Sequence, residues 1–336
     1  MGGNSLSFTR ANRSAGLAVP IKNRNGGLVL QFAMLSVRRE LRPPEHKALR
    51  VNSERVPVQY SWPVRVLRGA QFALARLTSR DGYVEAHAAP FDLTFVGPAA
   101  DCITRHIYRL GAHEPHITRY LIDHVHLGPD EIALDVGANL GWYSVILHRL
   151  SEPGARIFAF EPDPENYRLL TKNLKLNDAT RVTPLNIALG DNPGMAELHR
   201  YKAANSGRHS LLTGNTAGST VRVPVDTLRN VWDAQNLGAR RIRFLKIDVE
   251  GFEYYALRGA GDLLGRCDCV QLEYSPDAFV GAGLKPEAVI DLLVAAGLSA
   301  SAFINEQIVP VSYLQLARAQ SQHDLILTPV NASAAL

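Results

Sequence analysis

The sequence predicts an α/β fold, a seven-stranded, mainly parallel, doubly wound sheet preceded by an N-terminal accessory segment. Three observations predict it. An apolar run over 131–136 is followed at once by a turn rich in Gly and Asn and then by the start of an amphipathic helix over 141–150. A second apolar run over 156–161 ends in an acid, Glu161, 26 residues after Asp135. Beyond it, strand-like and helix-like stretches alternate, which is the pattern of a parallel sheet covered by helices on both faces.

Taken in order, residues 1–26 are rich in Gly, Ser, Asn and Arg without periodicity, and predict no structure. Residues 27–39 suit one short helix or strand, and Pro43, Pro44, Pro57 and Pro63 break any long element over 40–63. Short apolar runs at 65–67 and 91–96 suggest strands of a small cap or edge sheet. Helical spacing over 103–127 (Ile107, Leu110, Ile117, Leu121, Ile122, Val125) suggests a helical entry to the fold. This stretch also carries His106, His113, His116, His124 and His126, in no metal-ligand spacing, so they read as surface or packing residues. Strands are expected near 131–136, 156–161, 181–187, 242–248 and 268–274, helices near 141–150, 163–176, 253–265 and 286–296, and two final antiparallel strands near 298–304 and 324–327. Two short strands, 195–201 and 219–225, interrupt the alternation and flank a polar loop over 202–210 with the composition of a lid. The resulting division is a basic arm over 1–50, an accessory or cap segment over 51–102, and the main domain over 103–330.

Composition narrows the class of function. An apolar fraction of 46% with 20% charged residues suits a globular chain able to bury a large core. The net charge of +4 is unevenly placed: residues 1–50 carry nine Lys or Arg against two acids, so the rest is slightly acidic. A nucleic-acid partner would call for a basic face on the main domain itself, and none is expected. No apolar run reaches the ~18–20 residues of a membrane span. Three cysteines, Cys102, Cys267 and Cys269, form neither a disulfide framework nor a zinc pattern. They suit buried thiols in a cytoplasmic protein.

The turn after the first strand, Asp135-Val-Gly-Ala-Asn-Leu-Gly141, selects the ligand. Gly137, Asn139 and Gly141 tolerate positive φ and allow close approach to the backbone. A dinucleotide site uses G-x-G-x-x-G with a pyrophosphate over the helix end. Here that motif is missing and a carboxylate stands at the front of the turn, which repels phosphate and suits a ligand bearing an amino group. An acid at the end of the second strand, Glu161, takes ribose hydroxyls. S-adenosylmethionine (SAM) has this charge pattern. Helix capping is the competing explanation for both acids.

The chain also resembles the FkbM family of SAM-dependent methyltransferases. The matching stretches are Leu134-Asp-Val-Gly-Ala-Asn-Leu-Gly-Trp-Tyr-Ser144, Phe158-Ala-Phe-Glu-Pro-Asp-Pro164 with Leu170 and Asn173, Asn186-Ile-Ala-Leu-Gly-Asp191, Leu245-Lys-Ile-Asp-Val-Glu-Gly-Phe-Glu253 with Leu257-Arg-Gly259, and Glu273. The resemblance implies a class I, Rossmann-like methyltransferase whose seventh strand lies between the fifth and sixth. It also implies a hydroxyl of a sugar or secondary metabolite as small-molecule acceptor. The chain departs from the pattern at Thr227-Leu228, where Arg229 follows and the acid is instead Asp226. A nitrogen- or protein-directed methyltransferase and a non-catalytic SAM-binding module are the alternatives.

The expected cofactor residues are Asp135 toward the amino acid end of SAM with backbone at Gly137 and Asn139, Gly141 in the turn, Glu161 with Pro162 at the ribose, and Asn186 and Ala188 beside the adenine. Glu114, in a Gly111-Ala-His-Glu-Pro115 segment similar to one in the family, is expected at the cofactor mouth. The acceptor side is expected at strand ends four and five, where Asp248, Glu250 and Glu273 are the candidate catalytic groups. Asp248 is also a candidate cofactor contact. The three carboxylates suit Mg²⁺, which would lower the pKa of a hydroxyl. Glu253 is expected to cap the next helix, and His209, in the lid-like loop, is a candidate base.

Overall fold

The computed structural model describes residues 59–200, 210–211 and 219–330, together with strands β1 (Leu17–Lys22) and β2 (Leu28–Ala33). The chain forms two units, Met1–Lys47 and Ala48–Leu336. In the first, β1 and β2 pair antiparallel, Leu17 opposite Ala33. Residues 17–22, expected to lack structure, are thus half of a hairpin. The intervening Asn23-Arg-Asn-Gly-Gly27 has turn composition, which explains the pairing.

The second unit opens with α1 (Trp62–Thr78), the hairpin β3 (Tyr83–Ala88) and β4 (Leu93–Pro98), and the helices α2 (Cys102–Leu110) and α3 (Pro115–His124). The run at 65–67 lies in a helix, not a strand: Pro63 starts it and Ala70, Ala73 and Ala75 sustain it. The entry over 103–127 is two helices. Gly111 at φ +82° ends the first and Pro115 begins the second.

The alternating core comprises β5 (Ile132–Val136), α4 (Trp142–Arg149), β6 (Arg156–Phe160), α5 (Pro164–Leu176), β7 (Val182–Leu185), β8 (Ala188–Leu189), β9 (Gly194–His199), β10 (Thr220–Asp226), α6 (Leu228–Ala234), β11 (Ile242–Ile247), α7 (Glu253–Ala260) and β12 (Val270–Tyr274). It ends with α8 (Pro276–Gly281), α9 (Pro286–Ala295), β13 (Leu298–Ile304), β14 (Gln307–Val311), α10 (Tyr313–Ala317) and β15 (His323–Pro329).

One eight-stranded sheet has the order β14-β13-β15-β12-β11-β5-β6-β7. The five strands from β12 to β7 are parallel, β15 runs antiparallel to them, β13 pairs antiparallel with β15, and β14 pairs antiparallel with β13. The last strand lies between the fifth and sixth strands of the expected set, as the resemblance implied. The eighth, β14, extends the edge as a hairpin with β13. Every residue of β5 and β12 is buried, as both-face coverage requires. One face packs α4 and α5 through Val145, Ile146, Leu169 and Leu170, and the other packs α6, α7 and α9 through Trp232, Leu257, Val289 and Leu293. Chain direction across the sheet reverses between β5 and β11, so the crevice at their carboxyl ends is the place for a ligand.

A separate sheet, β8-β10-β9, forms at the interruption. The start of α6 explains the departure at 226–229. The Thr227 hydroxyl accepts from Asn230 N–H, and Asp226 Oδ1 accepts from Thr227 N–H and the Asn230 amide, each at 2.8 Å for Asp226. That acid braces a helix start. Asn173 ties the β3–β4 hairpin down: its Oδ1 accepts from Val96 N–H at 2.8 Å and its amide donates to the Val96 and Leu140 carbonyls.

Candidate active site

The β5 turn is built by backbone proximity. Gly137 has φ +81°, and a Cβ there would lie 1.9 Å from the Asp248 carbonyl oxygen. Only glycine fits between the ends of β5 and β11. Gly137 and Ala138 N–H both donate to the Phe160 carbonyl, at 3.0 and 2.9 Å. Asn139, at φ +48°, donates its N–H to Glu161 Oε2 at 2.8 Å, and Asp163 N–H donates to Oε1 at 2.9 Å. Burial pushes the Glu161 carboxyl up to about 8, against the pull of those two N–H groups. Asn186 donates its amide to the Glu161 and Pro162 carbonyls, fixing the strand end from behind.

Two clefts open over the strand ends. The first has an apolar wall of Phe160, Ile187, Leu189, Leu198 and Phe252, with the carboxyl of Glu161 in its lining. The second is larger and more polar, with His106, His113, Glu114, Lys246, Glu273 and Gln322 in its lining. Gly137, Asn139, Asp248 and Glu250 line both, so the clefts meet at the ends of β5 and β11.

At that junction Asp248, Glu250 and Glu273 bring carboxylate oxygens within 4.8 Å of one another, the one such metal-competent cluster among the described residues. Glu250 sits at φ +52° in the turn after β11, which Glu253 braces: its Oε1 accepts from Val249 and Gly251 N–H at 3.1 and 3.0 Å. Glu253 therefore serves the start of α7, as expected. Glu273, nearly buried, accepts from the Gln322 amide on Oε1, while Oε2 has no hydrogen-bond partner. Burial, and then the charges of Asp248 and Glu250, raise its pKa far above the usual carboxylate range.

Lys246 is buried beneath the junction and holds Asp248 Oδ2 at 2.9 Å. Burial opposes its charge, but the carboxylates of Asp248, Asp135 and Glu114 outweigh it and keep the ammonium protonated. Its Nζ also lies 5.1 Å from the Tyr143 ring centroid. The Tyr143 hydroxyl donates to Glu114, so Lys246, Asp248, Tyr143 and Glu114 form one polar network.

Of the residues singled out from sequence, Gly137, Asn139, Glu161, Pro162, Ala188 and Asp248 line the first cleft. Glu250 and Glu273 join Asp248 at the second. Gly141 and Asn186 shape the wall without forming it: a Cβ on Gly141 would lie 2.6 Å from Leu170 Cδ1. Glu114 lines the second cleft, not the first. Asp135 lies behind the wall, wholly buried, accepting from the Ser144 hydroxyl at 2.6 Å. Burial raises its pKa against the nearby Lys246. His209 lies outside the described residues, as does most of the lid-like loop. Ser210, at its end, donates to the Glu250 carbonyl at 2.7 Å, and Leu211 lines the first cleft. Sequence reasoning missed Lys246, Tyr143, Gln322 and Phe252. The signal for Lys246 was its place two residues before Asp248, on the same side of a strand.

The strand order, the inserted antiparallel strand and the paired clefts at the switch point define a class I methyltransferase fold. Residues 135–298 match the methyltransferase FkbM domain. It is similar to the hexuronic acid methyltransferase AglP of Haloferax volcanii, 28% identical over 186 residues that make up 55% of this chain and 70% of that one. It is also similar to the 2-O-methyltransferase NoeI of Sinorhizobium fredii, 26% identical over 177 residues, 49% of this chain and 72% of that one. A crystal structure of an FkbM methyltransferase from Methylobacillus flagellatus KT aligns at 14% identity with a TM-score of 0.40, covering 78% of this chain and 58% of that one. Over the described residues, no helix is long and apolar enough to cross a membrane.

Proposed function

We propose that the chain transfers the methyl group of SAM to a hydroxyl oxygen of a small-molecule acceptor, a sugar or secondary metabolite, in the cytoplasm. The observation that carries this reading is the meeting of an apolar, acid-ended cleft with a larger polar cleft at Gly137, Asn139, Asp248 and Glu250. The names of AglP and NoeI, a hexuronic acid and a 2-O-methyltransferase, support the oxygen acceptor. The free thiols of buried Cys267 and Cys269 support a reducing compartment.

The first cleft is the one we assign to the adenosine of SAM. Glu161 stands where ribose hydroxyls would donate, and Phe252, Ile187 and Leu189 offer apolar surface for the base. Bound SAM supplies a methyl on a sulfonium, a good leaving group. The chain's task is then to aim the acceptor oxygen from the second cleft. As the new C–O bond forms, the S–C bond breaks and its electron pair stays on sulfur. The hydroxyl proton must leave, and Asp248, rigid at the end of β11, is the proposed acceptor. Lys246 keeps its carboxylate oriented. A second route to the same end is a divalent cation such as Mg²⁺ on Asp248, Glu250 and Glu273, which would acidify the hydroxyl. The orphaned Oε2 of Glu273 favours that donor set.

Calorimetry with S-adenosylhomocysteine and with NAD tests the cofactor. Tight NAD binding without the SAM product would end the reading. A screen with labelled SAM against sugars and hydroxylated metabolites then identifies the acceptor. Asp248→Asn separates the roles. If Asp248 serves the acceptor alone, cofactor affinity is kept and turnover falls by about 10²–10⁴. If it holds the cofactor, both fall. Loss of wild-type turnover in a chelator, restored by Mg²⁺, identifies the cation route.

A further inference from the structure

The helix α1 is mounted with its apolar side outward. At 100° per residue, Trp62, Pro63, Val66, Leu67, Ala70, Ala73, Leu74 and Leu77 fall within an arc of about 140°, and all eight are exposed. Trp62 is 69% exposed, Leu67 59% and Leu77 84%. None of the eight is polar. The inward side is the unusual one for a surface helix: Phe72 is its one buried residue, and Arg68 points in. That guanidinium stacks on the rings of Tyr60 and Tyr108 at 4.7 and 4.9 Å and donates to the Tyr108 and His87 carbonyls. The helix is fastened through its cation and presents its hydrophobes to the outside. A contiguous exposed apolar face of this kind marks an interaction surface.

We propose that this face docks on an anionic lipid surface, lying in the plane of the headgroups. Charge and composition favour that occupant. Arg76 and Arg80 are exposed beside the C-terminal end of the apolar arc. No acid occurs between residues 59 and 80, while Arg65, Arg68, Arg76 and Arg80 do. Residues 1–50 carry nine Lys or Arg against two acids. An apolar arc with Arg65 and Arg76 beyond one edge, uncharged Thr78 and Gln71 beyond the other, and no acid on the helix is the pattern of an interfacial helix on acidic lipid. Trp62, at the start of the helix, is a residue type that favours the headgroup zone, and long Arg stems can cross the apolar boundary to reach phosphate. Apart from the Trp62 indole N–H, the arc has no hydrogen-bonding side chain with which to recognise a polar protein surface. This surface does not depend on the identity of the acceptor.

The test uses the full chain, sedimented with phosphatidylcholine vesicles with and without phosphatidylglycerol. Binding is expected only with the acidic lipid, and is expected to weaken as salt rises. The double variant Leu67→Asp/Leu77→Asp is expected to lower vesicle binding by about tenfold or more. Its S-adenosylhomocysteine affinity and circular dichroism are expected to match the wild type, because neither side chain touches either cleft. No vesicle binding by the wild type overturns the proposal. Equal binding by the double variant also overturns it, and assigns the membrane contact to the basic N-terminal residues. Light scattering provides the third outcome: a wild-type dimer made monomeric by the double variant gives the face to a second copy of the chain and removes the lipid.

Discussion

Glu161 shows how one residue is prepared for a ligand. Both of its oxygens already accept a backbone N–H, yet burial keeps its pKa near 8. Ribose hydroxyls would add donors that favour the charged form. Glu161→Ala is expected to weaken S-adenosylhomocysteine binding about tenfold to hundredfold, the effect of losing about 1.5–3 kcal/mol of charge-assisted hydrogen bonding. Calorimetry reads the affinity, and circular dichroism checks that the domain is folded. Glu273 carries the same burial penalty further, and no backbone N–H offsets it. Its pKa is raised in the folded state, so between the ordinary carboxylate value and the raised one the unfolded chain releases a proton that the folded chain keeps. Folding then takes up a proton, and this residue costs stability as pH rises through that window. Glu273→Gln keeps the shape and removes the charge. In chelator its melting temperature is expected to exceed that of wild type, by a margin that widens from pH 5 to pH 8. A margin that is flat or reversed would show that Glu273 ionises freely.

At the scale of elements, the turn between β5 and α4 sets the geometry of both clefts. Gly137→Ala puts a methyl against the Asp248 carbonyl and forces alanine to a left-handed φ. Strain and overpacking together cost about 2–5 kcal/mol. The variant is expected to melt well below wild type and to lose cofactor affinity, because β5 and β11 can no longer close on each other. Normal melting with normal affinity would mean that the turn relaxes without consequence. This turn was legible from sequence because its constraints are local: an apolar run, Gly and Asn where φ is positive, and an acid at the end of the next strand. The parallel alternation was legible for a similar reason, since one helix joins β5 to β6, β6 to β7 and β11 to β12 in the chain. The second cleft was not. Its lining joins Glu114, Tyr143, Lys246 and Gln322 from four separate elements, and no periodicity links them. The helix α1 was hidden for another reason: its apolar residues face outward, so their spacing did not mark a core. Strand β4 was suggested by its residues and β3 was not, and the fastening of their hairpin by Asn173, a side chain 77 residues from Val96, is a long-range contact that no local pattern reports.

For the molecule as a whole, the question is how much of the chain the cofactor cleft needs. The accessory segment is part of the core. Phe91, Leu93, Phe95 and Val96 are buried in one cluster with Trp142 and Leu140 of the cofactor turn and helix. Phe91 meets the Trp142 indole edge-on and Phe95 lies tilted against it, with ring centroids 5.7 and 5.2 Å apart. Burying four such side chains contributes about 1.5–3 kcal/mol each, together comparable with the whole ~5–15 kcal/mol stability of a domain. Removing residues 1–101 therefore uncovers Trp142 and is expected to give an insoluble or unfolded product. A second truncation removes residues 1–47, the separate N-terminal unit. This shorter truncation is expected to melt within a few degrees of the full chain and to bind S-adenosylhomocysteine with unchanged affinity. Vesicle binding carried by α1 is expected to persist in it, reduced by the loss of the basic residues. Melting curves and calorimetry on the two truncations decide the matter. Collapse of the 1–47 deletion would show that the N-terminal unit is needed for the stability of the rest, and a folded, cofactor-binding 102–336 fragment would show that α1 and the hairpin are dispensable to the site.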